Sequence, residues 1–302
     1  MSQIKFDGRV AIVTGAGAGL GKTYALELAK RGAKVVVNDL GGARDGSGAS
    51  HNAADVVVDE IKKAGGQAVA NYDSVATVEG GENMVKTAVD NFGKLDILIN
   101  NAGILRDKSL SKMTEQEWDI IHQVHLKGAF CCTKPALEAM KKNAYGRVMF
   151  TTSGAGLYGN FGQANYAAAK TGLLGFMHVV SIEGAKYNIK ANTIAPIAAS
   201  RLTEDVMPPE MFAKLKPEFV MPLVLYLVSE DNQDTSMIFN CGGGWYSRSA
   251  IVCAPGVIIG DGKRAITPEE IKDNWKKITS LEGAKYLSTL MESFGFMQPL
   301  LK

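Results

Sequence analysis

The stretch VTGAGAGLGK, residues 13–22, decides the fold class of the chain. The apolar run RVAIV at 9–13 leads into it and is typical of a buried strand, while GKTYALELAKRG at 21–32 has helical periodicity. A glycine-rich turn between a strand and a helix lets the backbone approach a pyrophosphate, which also faces the positive end of the helix dipole. The context therefore predicts a dinucleotide site that includes Gly15, Gly19, Leu20 and Gly21.

The same alternation of strand and helix continues along the chain. Helical periodicity that stops at glycine predicts helices at 53–66 and 81–93. Runs rich in Val and Ile predict further strands at 34–39, 68–75, 95–100, 146–153, 188–196 and 237–243. This repetition predicts an α/β fold of the Rossmann type, a doubly wound parallel sheet of about seven strands with right-handed crossovers.

We assign residues 1–246 to this dinucleotide-binding domain and residues 247–302 to a C-terminal extension. In the extension, Thr267, Pro268 and Glu270 form a helix start: an N-cap residue, a proline at the first position and a capping-box glutamate. The pattern predicts a helix that packs on the domain or on a partner subunit.

Composition argues against several classes of function. The 302 residues carry a formal net charge of +2, which gives no electrostatic reason to bind nucleic acid or an acidic membrane. No apolar run reaches the 18 residues that a membrane span needs, and we expect no signal peptide ahead of the first strand. His122 and His125 lack further ligands at a matching spacing, so we expect no metal site.

Polar residues at the carboxyl ends of the following strands extend the expected dinucleotide site. Asp39 lies 18 residues after Gly21, close to the usual distance for the acid that binds the ribose hydroxyls. Its charge would repel a 2′-phosphate, which predicts NAD rather than NADP. Further expected contacts, at the ends of the third and fourth strands, are Asp73, Ser74, Val75, Asn101 and Gly103.

The stretch GQANYAAAKTG at 162–172 places a phenol and an ammonium group on one face of a helix, because Tyr166 and Lys170 are four residues apart. A cation roughly 4–6 Å from the phenol, at an effective dielectric near 20, contributes about 3–4 kcal/mol, or on the order of two pKa units. We therefore expect Lys170 to lower the pKa of Tyr166, so that Tyr166 can act as a general base. Ser153, at the end of the fifth strand, would hold the substrate oxygen as the alcohol becomes a carbonyl.

TGAGAGLG, NNAG, Ser153 and YAAAK at 166–170 together resemble the short-chain dehydrogenase/reductase family, over about residues 5–246. The resemblance implies hydride transfer between a substrate carbon and a nicotinamide, with Tyr166 as acid/base and Ser153 positioning the substrate. It also implies that Lys170 lowers the pKa of Tyr166 and holds the ribose, so that both residues contribute to the cofactor site.

Two positions depart from the usual pattern of the family. His125 stands where the wider family usually carries an Asn that takes part in a proton relay. Pro196-Ile197 replaces the usual Pro-Gly after the sixth strand. The loop that follows is still expected to touch the nicotinamide end of the cofactor, through Ala198, Ala199 and Ser200.

Finer matches are similar to the (3R)-hydroxyacyl-CoA dehydrogenase branch of the family: VVVNDLGG, NAGILRD, YGNFGQANY, EGAKYNIKANTIAPIAASR and MPPE. A histidine at the position of His125 is common in that branch. The resemblance implies NAD-dependent oxidation of (3R)-3-hydroxyacyl-CoA in peroxisomal fatty-acid β-oxidation. It implies a homodimer that the extension helps to build, and fusion to a hydratase and often a sterol-carrier-like domain. The chain is then a stand-alone enzyme or part of a longer one. Its final residues, PLLK, are not a peroxisomal address of the SKL type, so the location rests on the resemblance.

Other functions stay open at the level of sequence. One is an NADPH-dependent 3-oxoacyl thioester reductase, against which Asp39 argues, and another is a steroid or small-alcohol dehydrogenase. The intact Ser-Tyr-Lys set argues against an NAD-binding module without catalytic activity. Tyr158 either lines the substrate pocket or packs as an aromatic residue, and Arg106 and Lys108 either bind acyl-CoA phosphates or are solvated.

Overall fold

The structure is a computed structural model that describes residues 3–43, 45–48, 50–198, 210 and 214–300. The chain divides into two compact units, Met1–Arg248 and Ser249–Lys302. The first unit contains the sheet and the described cofactor and catalytic candidates.

The strands of the first unit form one sheet with the Rossmann-type α/β topology that the sequence predicts. Their bounds are β1 Val10–Thr14, β2 Lys34–Asn38, β3 Gln67–Asn71, β4 Ile97–Asn100, β5 Gly146–Thr151, β6 Ile189–Pro196, β7 Ile238–Gly242 and β8 Trp245–Ser249. Among the described residues the sheet has eight strands in the order β3-β2-β1-β4-β5-β6-β7-β8, with parallel pairing from β3 to β7. The predicted fold class is confirmed, and β8 is one strand more than the seven expected.

Helices connect the strands and cover both faces of the sheet. Their bounds are α1 Gly19–Lys30, α2 Asn52–Lys63, α3 Val78–Phe92, α4 Glu115–His122, α5 Gly128–Asn143, α6 Gly154–Tyr158, α7 Ala164–Gly184 and α8 Met221–Val228. One apolar cluster joins α1, α2 and α8 to the sheet, and another joins α3, α5 and α7 to it. Because both faces are covered, β1 is buried along its whole length, as expected of a strand in a parallel sheet.

The order of the strands reverses on either side of β1, since β2 follows on one side and β4 on the other. Parallel sheets bind ligands outside the carboxyl ends of their strands at such a switch point. The glycine-rich turn after β1 and the NNAG turn after β4 meet there.

A π-helical turn, Gln123–Lys127, joins α4 to α5 and carries His125, which is buried. Turns of this kind inside α-helices are frequent at functional sites. Upstream, α4 starts with a capping box in which the Thr114 hydroxyl accepts from the Glu117 amide and the Glu117 carboxylate accepts from the Thr114 amide.

The second unit contains the predicted helix start. Helix α9, Pro268–Asp273, begins after Thr267, whose hydroxyl accepts a hydrogen bond from the Glu270 amide. The capping box at Thr267 is therefore confirmed. Strands β9 (Val252–Cys253) and β10 (Lys285–Tyr286) pair antiparallel. This unit also contains the α-helices α10 Trp275–Ile278 and α11 Leu290–Phe294 and a 3-10 helix at Gly295–Leu300.

Candidate active site

The turn after β1 closes tightly on the turn after β4. Gly15 has a φ of +62°, and a Cβ atom there would lie 2.8 Å from the Cα atom of Ala102. A Cβ atom on Gly21 would lie 2.2 Å from the carbonyl oxygen of Gly15. A side chain at either position would force the backbone to move, so these two glycines keep the turn compact.

Side-chain hydrogen bonds lock the two turns together. The Asn101 amide donates to the carbonyl oxygens of Thr14 at 2.9 Å and Gly15 at 3.2 Å. The Thr14 hydroxyl accepts from the backbone amides of Asn101 and Ala102, both at 3.0 Å. Asn101, expected as a cofactor contact, thus also supports the glycine-rich turn, and Thr14 is a supporting residue that the sequence analysis missed.

A cavity of about 300 Å³ opens at the carboxyl ends of β1 to β4. Its position, together with the compact glycine turn on one wall, fits the pyrophosphate and adenosine part of a dinucleotide. The expected cofactor contacts that line this cavity are Gly15, Gly19, Leu20, Asp39, Asp73, Ser74, Val75, Asn101 and Gly103.

The two acids in the cavity wall are held by hydrogen bonds. The carboxylate oxygens of Asp39 accept from the backbone amides of Gly17 and Gly41, each at 2.7 Å. The Asp73 carboxylate accepts from the side-chain amides of Asn71 at 2.7 Å and Asn83 at 3.2 Å. Both carboxylates are therefore fixed in direction, and the partners named here, all from the described part of the chain, are amides.

The three catalytic candidates form one cluster. Ser153 follows β5, and its hydroxyl caps α6 by accepting from the Ala155 amide at 3.2 Å. Ser153 also lies close enough to Tyr166 to act on the pKa of that phenol. The Lys170 ammonium lies 5.4 Å from the centre of the Tyr166 ring and donates to the carbonyl of Thr151 at 2.6 Å. The helical spacing therefore places Lys170 beside Tyr166, as expected.

The expected lowering of the Tyr166 pKa is wrong, because the structure gives a shift in the opposite direction. Burial raises the pKa of Tyr166 to about 12, although Ser153 acts to lower it. Burial also lowers the pKa of Lys170 to about 7, so much of its positive charge is lost just above neutral pH. The spacing in the sequence predicts the distance between the two groups but not their removal from water. That removal is the main cause of the pKa shifts of both Tyr166 and Lys170.

His125 packs against the segment after β4 and against Tyr166. Its Nε2 atom lies 2.8 Å from the carbonyl oxygen and 3.2 Å from the backbone nitrogen of Ile104, and its ring meets the Tyr166 ring edge to face at 5.1 Å. Burial, with a smaller contribution from the Lys170 charge, lowers the pKa of His125 well below its usual value. His125 is therefore neutral near pH 7 and holds the segment after β4 in place.

Several other sequence candidates have clear positions. Ala198 is buried just after β6, whereas Ala199 and Ser200 lie outside the described residues. Tyr158 is 71% exposed, which argues against packing in the core. The Arg106 side chain donates to the carbonyl of Asp45 at 2.7 Å, so it holds a cavity-wall loop rather than being simply solvated.

The structure also bears on the classes of function that composition disfavours. Within the described ranges, no helix is both long and apolar enough to cross a bilayer. Across those same residues, no three His, Cys, Asp or Glu side chains come together as a metal site would require.

Comparison with known proteins identifies the family. The family model described as short chain dehydrogenase matches residues 9–207. Peroxisomal multifunctional enzyme A of Dictyostelium discoideum is 54% identical over 290 residues, which cover 96% of this chain and 64% of that enzyme. Peroxisomal hydratase-dehydrogenase-epimerase of Saccharomyces cerevisiae is 51% identical over 286 residues, which cover 95% of this chain and 32% of that enzyme.

A solved structure agrees with these matches. Full-length peroxisomal multifunctional enzyme type 2 from Drosophila melanogaster superposes with a TM-score of 0.83 at 43% identity, over 99% of this chain and 50% of that one. The chain thus spans only about a third to two thirds of the length of these multifunctional relatives. The chain belongs to the short-chain dehydrogenase family of oxidoreductases.

Proposed function

We propose that the chain is an NAD-dependent dehydrogenase that oxidises (3R)-3-hydroxyacyl-CoA to 3-oxoacyl-CoA. The observation that carries the proposal is the placement of the Lys170 ammonium group 5.4 Å from the centre of the Tyr166 ring, with Ser153 close enough to lower the pKa of Tyr166. An alcohol oxygen seated next to both hydroxyls can give its proton to Tyr166 while its carbon loses a hydride. The cavity at the same edge of the sheet has the walls for the pyrophosphate and adenosine part of the dinucleotide that accepts this hydride.

Each side chain of the cluster has its own task. Tyr166 accepts the proton of the 3-hydroxyl group through its phenolic oxygen. Ser153 donates a hydrogen bond to the substrate oxygen and holds it as the carbonyl forms. Lys170 favours the ionised phenol through its charge, and bound NAD supplies the hydride acceptor together with a second positive charge.

The choice of NAD over NADP rests on the charges around Asp39. This carboxylate lies in the cavity wall, where a 2′-phosphate would meet a negative charge. Lys22, which ends the glycine-rich stretch, is paired with Glu60 at 2.6 Å. Because of this pairing, Lys22 is poorly placed to neutralise the 2′-phosphate of NADP. The charges therefore support oxidation with NAD over reduction with NADPH.

The acyl-CoA substrate and the peroxisomal setting are supported by the relatives. The name of the yeast relative joins a hydratase to a dehydrogenase. A dehydrogenase that follows a hydratase would oxidise the alcohol that hydration produces. We propose that this chain performs that step in the peroxisome, alone or as part of a longer enzyme that also carries hydratase and sterol-carrier domains.

We propose in addition that the chain forms a homodimer. The second unit keeps large apolar side chains exposed, among them Leu281, Leu290 and Met291 at 67%, 75% and 71%. Surfaces that another protein covers are rich in exposed apolar groups of this kind. A second copy of the chain is the partner that the family resemblance implies.

The direct test is a comparison of stereoisomers and cofactors. The purified chain is incubated with (3R)- or (3S)-hydroxyacyl-CoA of medium length and with NAD or NADP, and formation of the reduced cofactor is followed. The proposal predicts turnover of the 3R isomer with NAD. Turnover of the 3S isomer, or preference for NADP, would contradict it. Failure with both isomers while NADH still binds would point to another alcohol, such as a steroid.

A further inference from the structure

Asn165 directly precedes Tyr166 in the first turn of α7, and it is completely buried, with 0% exposure. Its side-chain amide donates to the carbonyl of Arg106 at 3.0 Å and to the carbonyl of Glu117 at 2.9 Å. Its side-chain oxygen accepts from the backbone amide of Tyr166 at 2.7 Å. One side chain thus connects the start of α7 to the segment after β4 and to the start of α4.

The start of α7 lacks an ordinary cap, which explains the need for this arrangement. Gln163 occupies the N-cap position, but its side chain makes no capping bond and donates instead to Asp107 at 2.8 Å. The first backbone amides of a helix have no partner within the helix. Asn165 supplies one for Tyr166, the residue on which the chemistry depends.

We propose that Asn165 is a positioning residue that fixes the Tyr166 hydroxyl relative to Ser153 and Lys170. The inference rests on the proposed dehydrogenase reaction. Asn165 acts through the backbone, so removing its amide frees the first turn of α7 to shift. A misplacement of about 1 Å in a reacting group can cost on the order of a hundredfold in rate.

The connection continues to the wall of the dinucleotide cavity. Arg106, whose carbonyl accepts from Asn165, uses its own side chain to bind the carbonyl of Asp45 at 2.7 Å. The neighbouring Gly46 lines the cavity. Asn165 does not itself line this wall, so we expect its removal to affect turnover more than cofactor binding.

The test uses two variants of Asn165 and one matched control in the same segment. Asn165→Ala removes all three hydrogen bonds, whereas Asn165→Asp keeps the size but, when ionised, turns a carboxylate toward two carbonyl oxygens. Asn160→Ala is the control, because Asn160 is exposed and, among the described residues, its side-chain amide donates only to Gln163. For each protein we would measure kcat, KM, the Kd for NADH, the melting temperature and hydrogen exchange in residues 163–170.

We expect Asn165→Ala to lower kcat about tenfold to a hundredfold, with the Kd for NADH within about twofold of the unchanged protein. Protonation of the buried carboxyl in Asn165→Asp restores a donor. The ratio of its kcat to that of the unchanged protein should therefore rise as pH falls from about 9 to about 6, and the ratio for Asn165→Ala should stay flat. The control should match the unchanged protein.

Two results would overturn the proposal. One is a kcat for both Asn165 variants within twofold of the control. The other is a fall in kcat that a matching rise in the Kd for NADH accounts for. If the unchanged protein fails to oxidise any hydroxyacyl-CoA, the proposed function is wrong, but the positioning role of Asn165 is still open. Hydrogen exchange then tests that role. Faster exchange at residues 163–170 in Asn165→Ala still supports the positioning role, and unchanged exchange rejects it.

Discussion

At Lys170, catalysis and stability make opposite demands. Burial lowers the pKa of its ammonium group to about 7, while the proposed reaction uses its charge to ionise Tyr166. The hydrogen bond to the Thr151 carbonyl at 2.6 Å satisfies one proton but does not replace the lost hydration. The buried charge of Lys170 therefore destabilises the fold. Buried groups with shifted pKa values are common at functional sites.

Replacing Lys170 with Met should stabilise the protein, and more so in acid than in base. An unfolded lysine ionises near pH 10.4, whereas folded Lys170 ionises near 7. Below about pH 7 the folded form buries the full charge, and as pH rises from 7 to about 10 it becomes neutral and this destabilisation is relieved. Urea denaturation should show Lys170→Met more stable by on the order of a few kcal/mol near pH 6. The advantage should shrink by about pH 10, and one that is constant or grows would contradict the account.

At the level of elements, the site depends on how closely the π-helical turn approaches the turn after β4. A Cβ atom on Gly103 would lie 2.5 Å from the Cε1 atom of His125, whose Nε2 atom bonds to Ile104. Gly103 also lines the dinucleotide cavity. The π-helical turn can therefore pack this closely against the NNAG turn only if residue 103 is glycine.

Substituting Gly103 with Ala should weaken dinucleotide binding. The new methyl group would push His125 and the cavity wall apart, and we expect the Kd for NADH to rise about tenfold or more, which is 1.4 kcal/mol or above. Gly175→Ala is the matched control, because a Cβ atom there meets no atom within 4 Å and Gly175 lies within α7. Fluorescence titration with NADH measures both. Equal affinities for the two variants would show that the close contact is unimportant.

For the whole molecule, the sequence predicts what depends on local periodicity and spacing. Apolar runs in the sequence predict buried strands such as β1. The four-residue spacing predicts that Lys170 lies beside Tyr166. The pattern misses β8, because Trp245 and Tyr246 on this edge strand are 52% and 45% exposed and no buried run marks it.

Features that depend on distant contacts are not visible in the sequence. Asn165 bonds to Arg106 and Glu117, which lie 59 and 48 positions away along the chain. The direction in which the pKa of Tyr166 shifts also depends on burial by several elements, so the spacing of two residues could not predict it.

The proposed homodimer is a prediction about the whole molecule. Light scattering at assay concentration should give twice the chain mass of 32.2 kDa, because pairing would cover the exposed apolar side chains of the second unit. Replacing Leu290 and Met291 with Ser should shift the mass toward the monomer if this surface is the one covered. A monomer mass for the unchanged chain would remove the proposal.

The central claim is that Tyr166 carries the proton in a dehydrogenase reaction, and one variant tests it most directly. Tyr166→Phe keeps the ring that packs against His125 and removes only the hydroxyl. The account predicts a loss of kcat of about a hundredfold to ten-thousandfold with (3R)-3-hydroxyacyl-CoA, and a Kd for NADH that stays nearly unchanged. A variant that keeps its activity would show that another group accepts the proton and that the mechanism is wrong.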